Sequence, residues 1–216
     1  MPNNPYIPLV EKHDKILTDL NEIYSQKSTW KKYFNNNKKI RLEIGTGLGN
    51  FFSTESAKLK KDYNFIGMEI KYKRLFKTAE KTLKNDNNDF ILLKDFGQNI
   101  DKIFDKEEIE TTYIFFPDPW PKDRHAKHRI MQEEFLEKLY NITESGGKLI
   151  FKTDEKNYFD ASLELIKKQN IWTPKVISYD YENEITEKYD KSNLTEFEVL
   201  FRNKDIKINY AEFIKV

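Results

Sequence analysis

The residue that most directly suggests chemistry is Asp118, which stands between two prolines in the stretch 115–129, FFPDPWPKDRHAKHR. Pro117 and Pro119 fix their own φ angles and restrict the residues before them, so the loop that carries the carboxylate is expected to be stiff. Stiffness of this kind preserves the geometry that a reacting group needs. The pattern therefore predicts an acid held ready for a reaction.

A basic run follows this acid directly. Its members are Lys122, Arg124, His125, Lys127, His128 and Arg129. Lys and Arg here would bind phosphate groups and give a salt-dependent, largely sequence-independent affinity for a polyanion. On composition alone a solvated basic loop is an equally good interpretation, but the position next to the acid favours binding. Trp120 could stack on a base or act as a wedge that holds the loop on the core, and the wedge is slightly favoured.

A glycine-rich turn has the composition of a cofactor-binding loop. Residues 42–51, LEIGTGLGNF, place Gly45, Gly47 and Gly49 between a predicted strand and a predicted helix, where a backbone can approach a ligand closely. The spacing differs from the dinucleotide fingerprint, whose third glycine would fall at Asn50. Alone, the turn could equally be a tight loop.

Three acids accompany this turn. Glu43 lies inside the first predicted strand, where burial of an unpaired carboxylate would cost several kcal/mol unless a cationic or hydrogen-bonding ligand offset it. Glu69 ends the next strand, 24 residues after Gly45, where it could accept hydrogen bonds from ribose hydroxyls, and Asp95 ends the third strand. Either strand-end acid alone is better explained as a cap. The ordered set predicts an S-adenosylmethionine site rather than a nicotinamide site.

Regular elements from residue 40 onward would bring these residues together. Strands are predicted at IRLEIG, NFIGMEI, DFILLKD, TTYIFF and GKLIFKTD, alternating with helices at 50–60, 72–84, 131–140 and 158–169 and a short one in FGQNIDKIF. Strands that are apolar on both faces in such an alternation indicate a parallel sheet with helices on each side. Ligands bind beyond the carboxyl ends of such strands.

After residue 171 the pattern changes. WTPKVISYDY and IKINYAEFIKV predict two longer strands, an antiparallel pair that closes the sheet. Thr195 followed by Glu198 fits a capping box and favours a short helix, although 199–201 would tolerate a strand. The prediction is an α/β, Rossmann-like fold: a mostly parallel seven-stranded sheet with helices on both faces and an antiparallel C-terminal strand.

Composition limits the remaining possibilities. The 216 residues carry 37 Lys and Arg against 36 Asp and Glu, so any polyanion binding must come from local clustering. The absence of cysteine excludes disulfides and thiol chemistry, and no apolar run approaches a membrane span. His13, His125 and His128 show no metal-ligand arrangement. We expect a soluble cytoplasmic protein without a metal, with residues 1–39 as a partly disordered N-terminal extension, including an amphipathic helix over 10–24, before one domain at 40–216.

Four motifs in this order resemble the bacterial tRNA (guanine-N7)-methyltransferase family. They are EIGTGLGNF, GMEI, FFPDPWPKDRHAKHR and TEFE, and the match runs from about residue 40 to the C-terminus. The resemblance implies a class I S-adenosylmethionine-dependent methyltransferase fold. It also implies methyl transfer to N7 of a guanosine in the tRNA variable loop (position 46), giving 7-methylguanosine and S-adenosylhomocysteine, by a monomer or homodimer.

The chemistry of this reaction agrees with the residues. N7 of guanine is a hydrogen-bond acceptor without a proton, so its lone pair can attack a methyl carbon without a strong general base. The product ring is cationic, and a nearby carboxylate stabilises the charge that develops in the transition state. Asp118 is assigned that catalytic role together with orienting the methyl donor; the alternative is that it only anchors the Pro-rich turn.

The resemblance also assigns binding residues. The cofactor positions, already indicated by the turn and its acids, are Glu43, Gly45, Gly47, Gly49, Glu69 and Asp95, together with Asp118. The substrate positions that the resemblance implies are Lys122, Asp154, Thr195, Glu196, Phe197 and Glu198. Asp154 has a simpler explanation as a helix N-cap, and Thr195 and Glu198 have one in the capping box. Glu196 has no such alternative, and its carboxylate could accept hydrogen bonds from N1 and N2 of guanine.

The basic run would contact the RNA backbone. The sequence departs from the family pattern at two places that concern RNA binding. The start MPNNPYIPLV lacks the basic Arg/Pro/Trp-containing pattern of many members, so an RNA contact by residues 1–39 stays open. His128 stands where many members have Lys or Arg, which weakens phosphate affinity near neutral pH.

A methyltransferase for small molecules or proteins would not need the basic run. An RNA-binding protein without catalysis would be expected to lack Glu69, Asp95 or Asp118.

Overall fold

In the computed structural model, which describes residues 4–187 and 190–216, eight strands form one sheet. The strands are β1 Ile16–Leu17, β2 Lys39–Ile44, β3 Tyr63–Met68, β4 Phe90–Leu93, β5 Ile109–Phe115, β6 Thr143–Thr153, β7 Trp172–Ser178 and β8 Asn209–Lys215. Their order across the sheet is β1-β4-β3-β2-β5-β6-β8-β7. The strands from β1 to β6 pair in parallel, and β8 runs antiparallel between β6 and β7. The predicted parallel sheet with antiparallel C-terminal strands is confirmed.

Ten α-helices accompany these strands within the described residues. They are α1 Ile7–Glu11, α2 Leu20–Ser25, α3 Trp30–Tyr33, α4 Asn50–Leu59, α5 Tyr72–Lys84, α6 Ile100–Ile103, α7 Glu133–Ile142, α8 Lys156–Gln169, α9 Tyr181–Glu184 and α10 Glu196–Arg202, with 3₁₀ segments at Gly97–Asn99 and Asp123–His128. Side chains of α4 and α5 pack on one face of the sheet, and those of α6, α7 and α8 on the other. Successive side chains of a strand point to opposite faces of the sheet. Phe65 packs against α4 and α5, and Ile66 packs on the other face.

The segment before residue 40 differs from the continuous helix predicted over 10–24. Ile16 and Leu17 form the short strand β1 and pair with Leu92 and Leu93 of β4. The predicted helix is wrong because the chain gains a strand ladder here and buries both apolar side chains against the sheet. This additional strand also raises the predicted count from seven to eight.

Trp30 ties the same segment to the core. Its indole is fully buried, contacts the Phe104 ring at 5.9 Å between centroids, and donates from Nε1 to the carbonyl of Ile103 at 3.0 Å. The described part of the predicted extension therefore shares the core of the sheet.

The sheet order places the predicted site residues at one edge. β3 and β5 both pair with β2 in parallel, so the loops after these three strands open on the same side. The loop after β4 opens beside them. None of the helices in the described part of the chain has the length and apolar character needed to cross a membrane.

Candidate active site

A cavity of about 240 Å³ opens at the carboxyl edge of the parallel strands. Predicted site residues in its lining are Glu43, Gly45, Gly47, Glu69, Asp95, Asp118, His128, Thr195, Glu196 and Phe197. The cavity thus collects residues from five separate stretches of the chain. Gly49, Lys122, Asp154 and Glu198 were predicted with them but do not line it.

The glycines of the turn after β2 serve two purposes. Gly47 has φ 57° and lies under the carboxylate of Glu196, since a Cβ there would come 3.7 Å from Oε2. Gly49 has φ 80° and begins α4, and a Cβ there would lie 2.7 Å from the Cα of Thr78. Gly47 provides the left-handed turn at the cavity floor, whereas Gly49 permits the close approach of α4 and α5.

Glu69 is fixed by backbone amides. Its Oε1 accepts hydrogen bonds from the N–H groups of Ile70 at 2.8 Å and Lys71 at 3.0 Å, and Oε2 accepts from Gly47 at 3.2 Å. The carboxylate therefore caps the strand end and also joins the loops after β2 and β3 at the cavity wall. The capping and ligand-binding interpretations are compatible.

Asp95 is held from three directions. It accepts hydrogen bonds from the Phe96 N–H at 2.7 Å, from Asn99 Nδ2 at 2.9 Å and from the Tyr24 hydroxyl at 3.0 Å. Desolvation by burial and the bond to Asp95 raise the pKa of Tyr24, so its hydroxyl stays a donor. Sequence reasoning missed Tyr24, which lies 71 residues away and carries no motif.

Glu43 is a deeply buried acid of the cavity lining. Its Oε2 has no hydrogen-bond partner among the described residues. Desolvation by burial raises the pKa of Glu43 well above its ordinary value, and the negative charges of Glu196, Glu55 and Glu69 raise it further. The burial that its position in the sequence predicted is confirmed, and a cationic ligand would stabilise the charged form of such an acid.

The loop that carries Asp118 has an unusual backbone. Phe116 and Trp120 both adopt left-handed conformations, with φ of 50° and 42°. Such residues cost about 1–3 kcal/mol each and persist only where surrounding contacts hold them. Arg129 supplies such contacts, since its Nε donates to the carbonyl of Pro119 at 2.8 Å and its Nη2 to that of Trp120 at 3.2 Å.

Arg129 was predicted to bind RNA, but these contacts give it a structural role in the loop. Its guanidinium also lies 5.2 Å from the Tyr158 ring centroid. The neighbouring Lys122, Arg124 and Lys127 are exposed. The fully exposed Lys and Arg side chains of the run are therefore these three.

Trp120 lies on the rim of the cavity. It is 38% exposed, and its ring centroid is 5.2 Å from that of His128 and 5.8 Å from that of His125. This rim position differs from the slightly favoured wedge in the core. A partly exposed indole beside a cavity presents a face on which a flat ring can stack.

Some residues of the TEFE motif stabilise the fold, and others line the cavity. The capping box is confirmed: the Glu198 N–H donates to Thr195 Oγ1 at 3.0 Å, and the Thr195 N–H donates to Glu198 Oε2 at 2.9 Å. Glu198 is fully buried and pairs with Lys152 Nζ at 2.8 Å. Phe197 is 41% exposed and faces the cavity.

Glu196 has a structural role that sequence reasoning did not provide. Its Oε1 accepts from the Asn50 N–H at the start of α4 at 3.1 Å and lies 3.5 Å from Lys81 Nζ. Helix N-termini attract carboxylates in this way. Its other oxygen faces Gly47 at the cavity.

Asp154 is not the N-cap of α8. Glu155 occupies that position, and its side chain accepts from the Tyr158 N–H at 2.8 Å. Desolvation by burial raises the pKa of Asp154. The simpler explanation for Asp154 is therefore wrong. Across residues 4–187 and 190–216, no group of three or more His, Asp or Glu side chains is arranged to hold a metal ion.

Comparisons with known proteins agree with this geometry. A family model described as "Putative methyltransferase" matches residues 37–211. A tRNA (guanine-N(7)-)-methyltransferase of Clostridioides difficile is 37% identical over 84% of this chain and 86% of its own. A bifunctional glycosyltransferase/methyltransferase of Fusobacterium nucleatum is 36% identical over 96% of this chain, which spans 32% of that longer protein. The structure of the 16S rRNA methyltransferase KamB has a TM-score of 0.61 at 11% identity, covering 88% of this chain and 94% of KamB.

Proposed function

The chain belongs to the tRNA (guanine-N7)-methyltransferase family, and from this premise we propose that it transfers the methyl group of S-adenosyl-L-methionine to N7 of guanosine 46 in the variable loop of tRNA. The products are 7-methylguanosine and S-adenosylhomocysteine. The observation that carries the proposal is the cavity in which the buried acid Glu43, the fixed acids Glu69 and Asp95, and the reaction-loop acid Asp118 meet. We further propose a cytoplasmic monomer or homodimer.

The cavity fits the methyl donor. S-adenosylmethionine supplies an electrophilic methyl group when bound. Within residues 4–187 and 190–216 the buried Oε2 of Glu43 has no hydrogen-bond partner, and a cationic amine would provide one. Glu69 and Asp95 present anchored carboxylates to ribose hydroxyls, and Phe96, which is 59% exposed, offers an apolar face beside them.

Asp118 is the residue proposed to face the reacting atoms. Its loop is stiffened by two prolines and held by Arg129. Because guanine N7 bears no proton, the carboxylate has no proton to remove. Its role is to stabilise the positive charge that develops on the purine and to orient the methyl donor.

The guanine would be selected and held by the other rim residues. We propose that Glu196 accepts hydrogen bonds from N1 and N2 of the base, because its Oε2 faces the cavity while Oε1 is anchored to Asn50. A base in folded RNA must leave its stack to reach such a pocket. Trp120 and Phe197 provide the exposed aromatic faces on which it could stack.

The RNA backbone would follow the basic run. Lys122, Arg124 and Lys127 project from the 3₁₀ segment and the residue before it. They lie beside the reaction loop and are available to phosphates.

Incubation of the protein with unmodified tRNA and methyl-labelled S-adenosylmethionine, followed by aniline cleavage at 7-methylguanosine, tests the proposal. Label in the tRNA and cleavage at position 46 are expected, and a transcript with adenosine at that position is the matched control. Cleavage at another guanosine would reject the position alone. No label, with a folded protein and a competent tRNA, would reject the activity.

A further inference from the structure

The outer face of α5 is predominantly basic. Its basic residues are Lys73, Arg74, Lys77, Lys81 and Lys84, against one acid, Glu80. The exposed faces of α7 and α8 mix acids and bases, as the near-equal totals of the chain lead one to expect. We refer to these five basic residues as the α5 stripe.

Helical geometry places the stripe in one exposed band. At 100° per residue its members fall within an arc of about 100°, opposite the buried positions Leu75, Thr78, Ala79 and Thr82. From the first to the last member the stripe extends about 16 Å at 1.5 Å per residue. α1 packs on the flank of α5, where Tyr6 meets Phe76 at 5.9 Å between ring centroids, and leaves the stripe uncovered.

Three members of the stripe have no acidic partner in the part of the chain that the structure describes. Arg74 lies 3.6 Å from Glu69, and Lys81 lies 3.5 Å from Glu196. Among the described residues, no carboxylate lies within 4.0 Å of Lys73, Lys77 or Lys84. Like charges four residues apart, such as Lys73 and Lys77, destabilise a helix by a few tenths of a kcal/mol. The helix therefore maintains a repulsion that a bound polyanion would relieve.

The stripe begins at the cavity. Arg74 lines the cavity wall, and α5 then carries the remaining lysines away from it. β2 lies between β3, which precedes α5, and β5, which precedes the Asp118 loop. The α5 stripe and the basic run of Lys122, Arg124 and Lys127 thus flank the cavity from two sides.

We propose that the α5 stripe binds the sugar-phosphate backbone of the tRNA whose guanine enters the cavity. This inference rests on the proposed function and extends the RNA-binding surface beyond the basic run. Charge complementarity selects the occupant, because the band presents five cations and no large apolar side chain. Its length matches about five phosphates of one strand of a double helix, at 3.4 Å per phosphate along the axis.

Replacement of Lys73, Lys77 and Lys84 by Gln in one variant tests the proposal. Gln has nearly the helix propensity of Lys, and these positions lie away from the cavity, so the fold and the affinity for S-adenosylmethionine should persist. Binding of fluorescently labelled unmodified tRNA is measured over a range of salt concentrations. The variant should bind on the order of tenfold more weakly, and the slope of log K against log salt should fall by about 2–3.

The matched control replaces Lys167, Lys168 and Lys175 by Gln. These exposed residues lie on α8 and β7, near the opposite edge of the sheet, and their loss changes the net charge equally. A parental salt slope is expected for this control. Equal effects of both triple variants, or none of either, would overturn the proposal.

The proposal can fail independently of the methyltransferase activity. Parental tRNA binding by the α5 variant, in a protein that forms 7-methylguanosine, would refute the stripe alone. If the α5 variant loses tRNA binding and the parent protein methylates no guanine, the role of the stripe in RNA binding stands and the methyltransferase activity is rejected. If the α5 variant binds tRNA like the parent but no longer binds phosphatidylserine vesicles, the stripe binds a membrane surface and the proposal is overturned.

Discussion

Asp118 owes its position to contacts that act on the backbone around it. Two residues in left-handed conformations flank it, and Arg129 bonds to two carbonyls of the same loop. A carboxylate held in this way needs little reorganisation when charge develops nearby. We therefore expect substitutions of Asp118 to affect the reaction more than the fold.

Asp118→Asn should fold and bind S-adenosylmethionine while losing methyl transfer by about 10²–10³-fold. The amide cannot stabilise a developing cation as the carboxylate does. Single-turnover methylation of tRNA measures the rate, and calorimetry measures cofactor binding. Asp62→Asn, on the exposed surface after α4, is the control. Near-parental turnover by Asp118→Asn would refute the catalytic role.

Glu43 should make the stability of the ligand-free protein depend on pH. Its pKa in the folded state is well above the ordinary value of 4.5. Between these two values the folded protein retains a proton that the unfolded chain has released, so the free energy of unfolding falls as pH rises. Glu43→Gln removes this pH-dependent contribution to the free energy of unfolding. The variant should therefore become more stable relative to the parent as pH rises.

Urea unfolding at several pH values from 4 to 8 measures this difference. The exposed Glu137→Gln is the control and should follow the parent. Parallel curves for Glu43→Gln and the parent would show that Glu43 has no such pKa shift.

At the scale of elements, the 3₁₀ segment and the loop before it behave as one unit. Arg129 at its end bonds back to Pro119 and Trp120, so the basic run and the acid loop share one anchor. Arg124, in contrast, is exposed. Neighbouring arginines should therefore affect different kinetic constants.

Arg129→Ala is expected to lower kcat on the order of 10- to 100-fold, because it releases the loop that positions Asp118. Arg124→Ala should mainly raise the KM for tRNA, because it removes a phosphate contact. Steady-state kinetics with tRNA as the varied substrate separate the two. A rise in KM alone for Arg129→Ala would assign it to the RNA.

The central elements could be predicted because their signals are long and regular. Glu43, Glu69, Asp95 and Asp118 follow or lie within recognisable strands, and a parallel sheet brings their ends together. β1 could not be predicted, since its two residues also fit the helical spacing of 10–24. A strand of that length is specified by its partner β4 and not by its own pattern.

Side-chain pairing was the part of the site that sequence could not provide. Glu198 belongs to a functional motif, yet it is buried against Lys152 from another element. Such a pair depends on how α10 packs over β6, and no spacing within TEFE reveals it. Tyr24 and Asp95 meet for the same reason, across 71 residues.

For the whole molecule, the N-terminal segment contributes to the stability of the methyltransferase fold. Trp30→Ala should lower the free energy of unfolding by about 3–5 kcal/mol, because it empties a fully buried site and leaves the Ile103 carbonyl without its donor. Urea unfolding measures the loss. Leu20→Ala, in the same segment but 45% exposed, should stay within about 0.5 kcal/mol of the parent. Equal, small effects would show that the segment packs only loosely.

The placement of the three tryptophans gives the protein a built-in optical probe. Trp30 and Trp172 are buried, whereas Trp120 is partly exposed at the mouth of the cavity. Acrylamide added to the unlabelled enzyme should therefore quench Trp120 emission selectively. Protection from the quencher when tRNA is added would report a base against the indole, and the same titration with S-adenosylmethionine alone would show whether the donor already shields it.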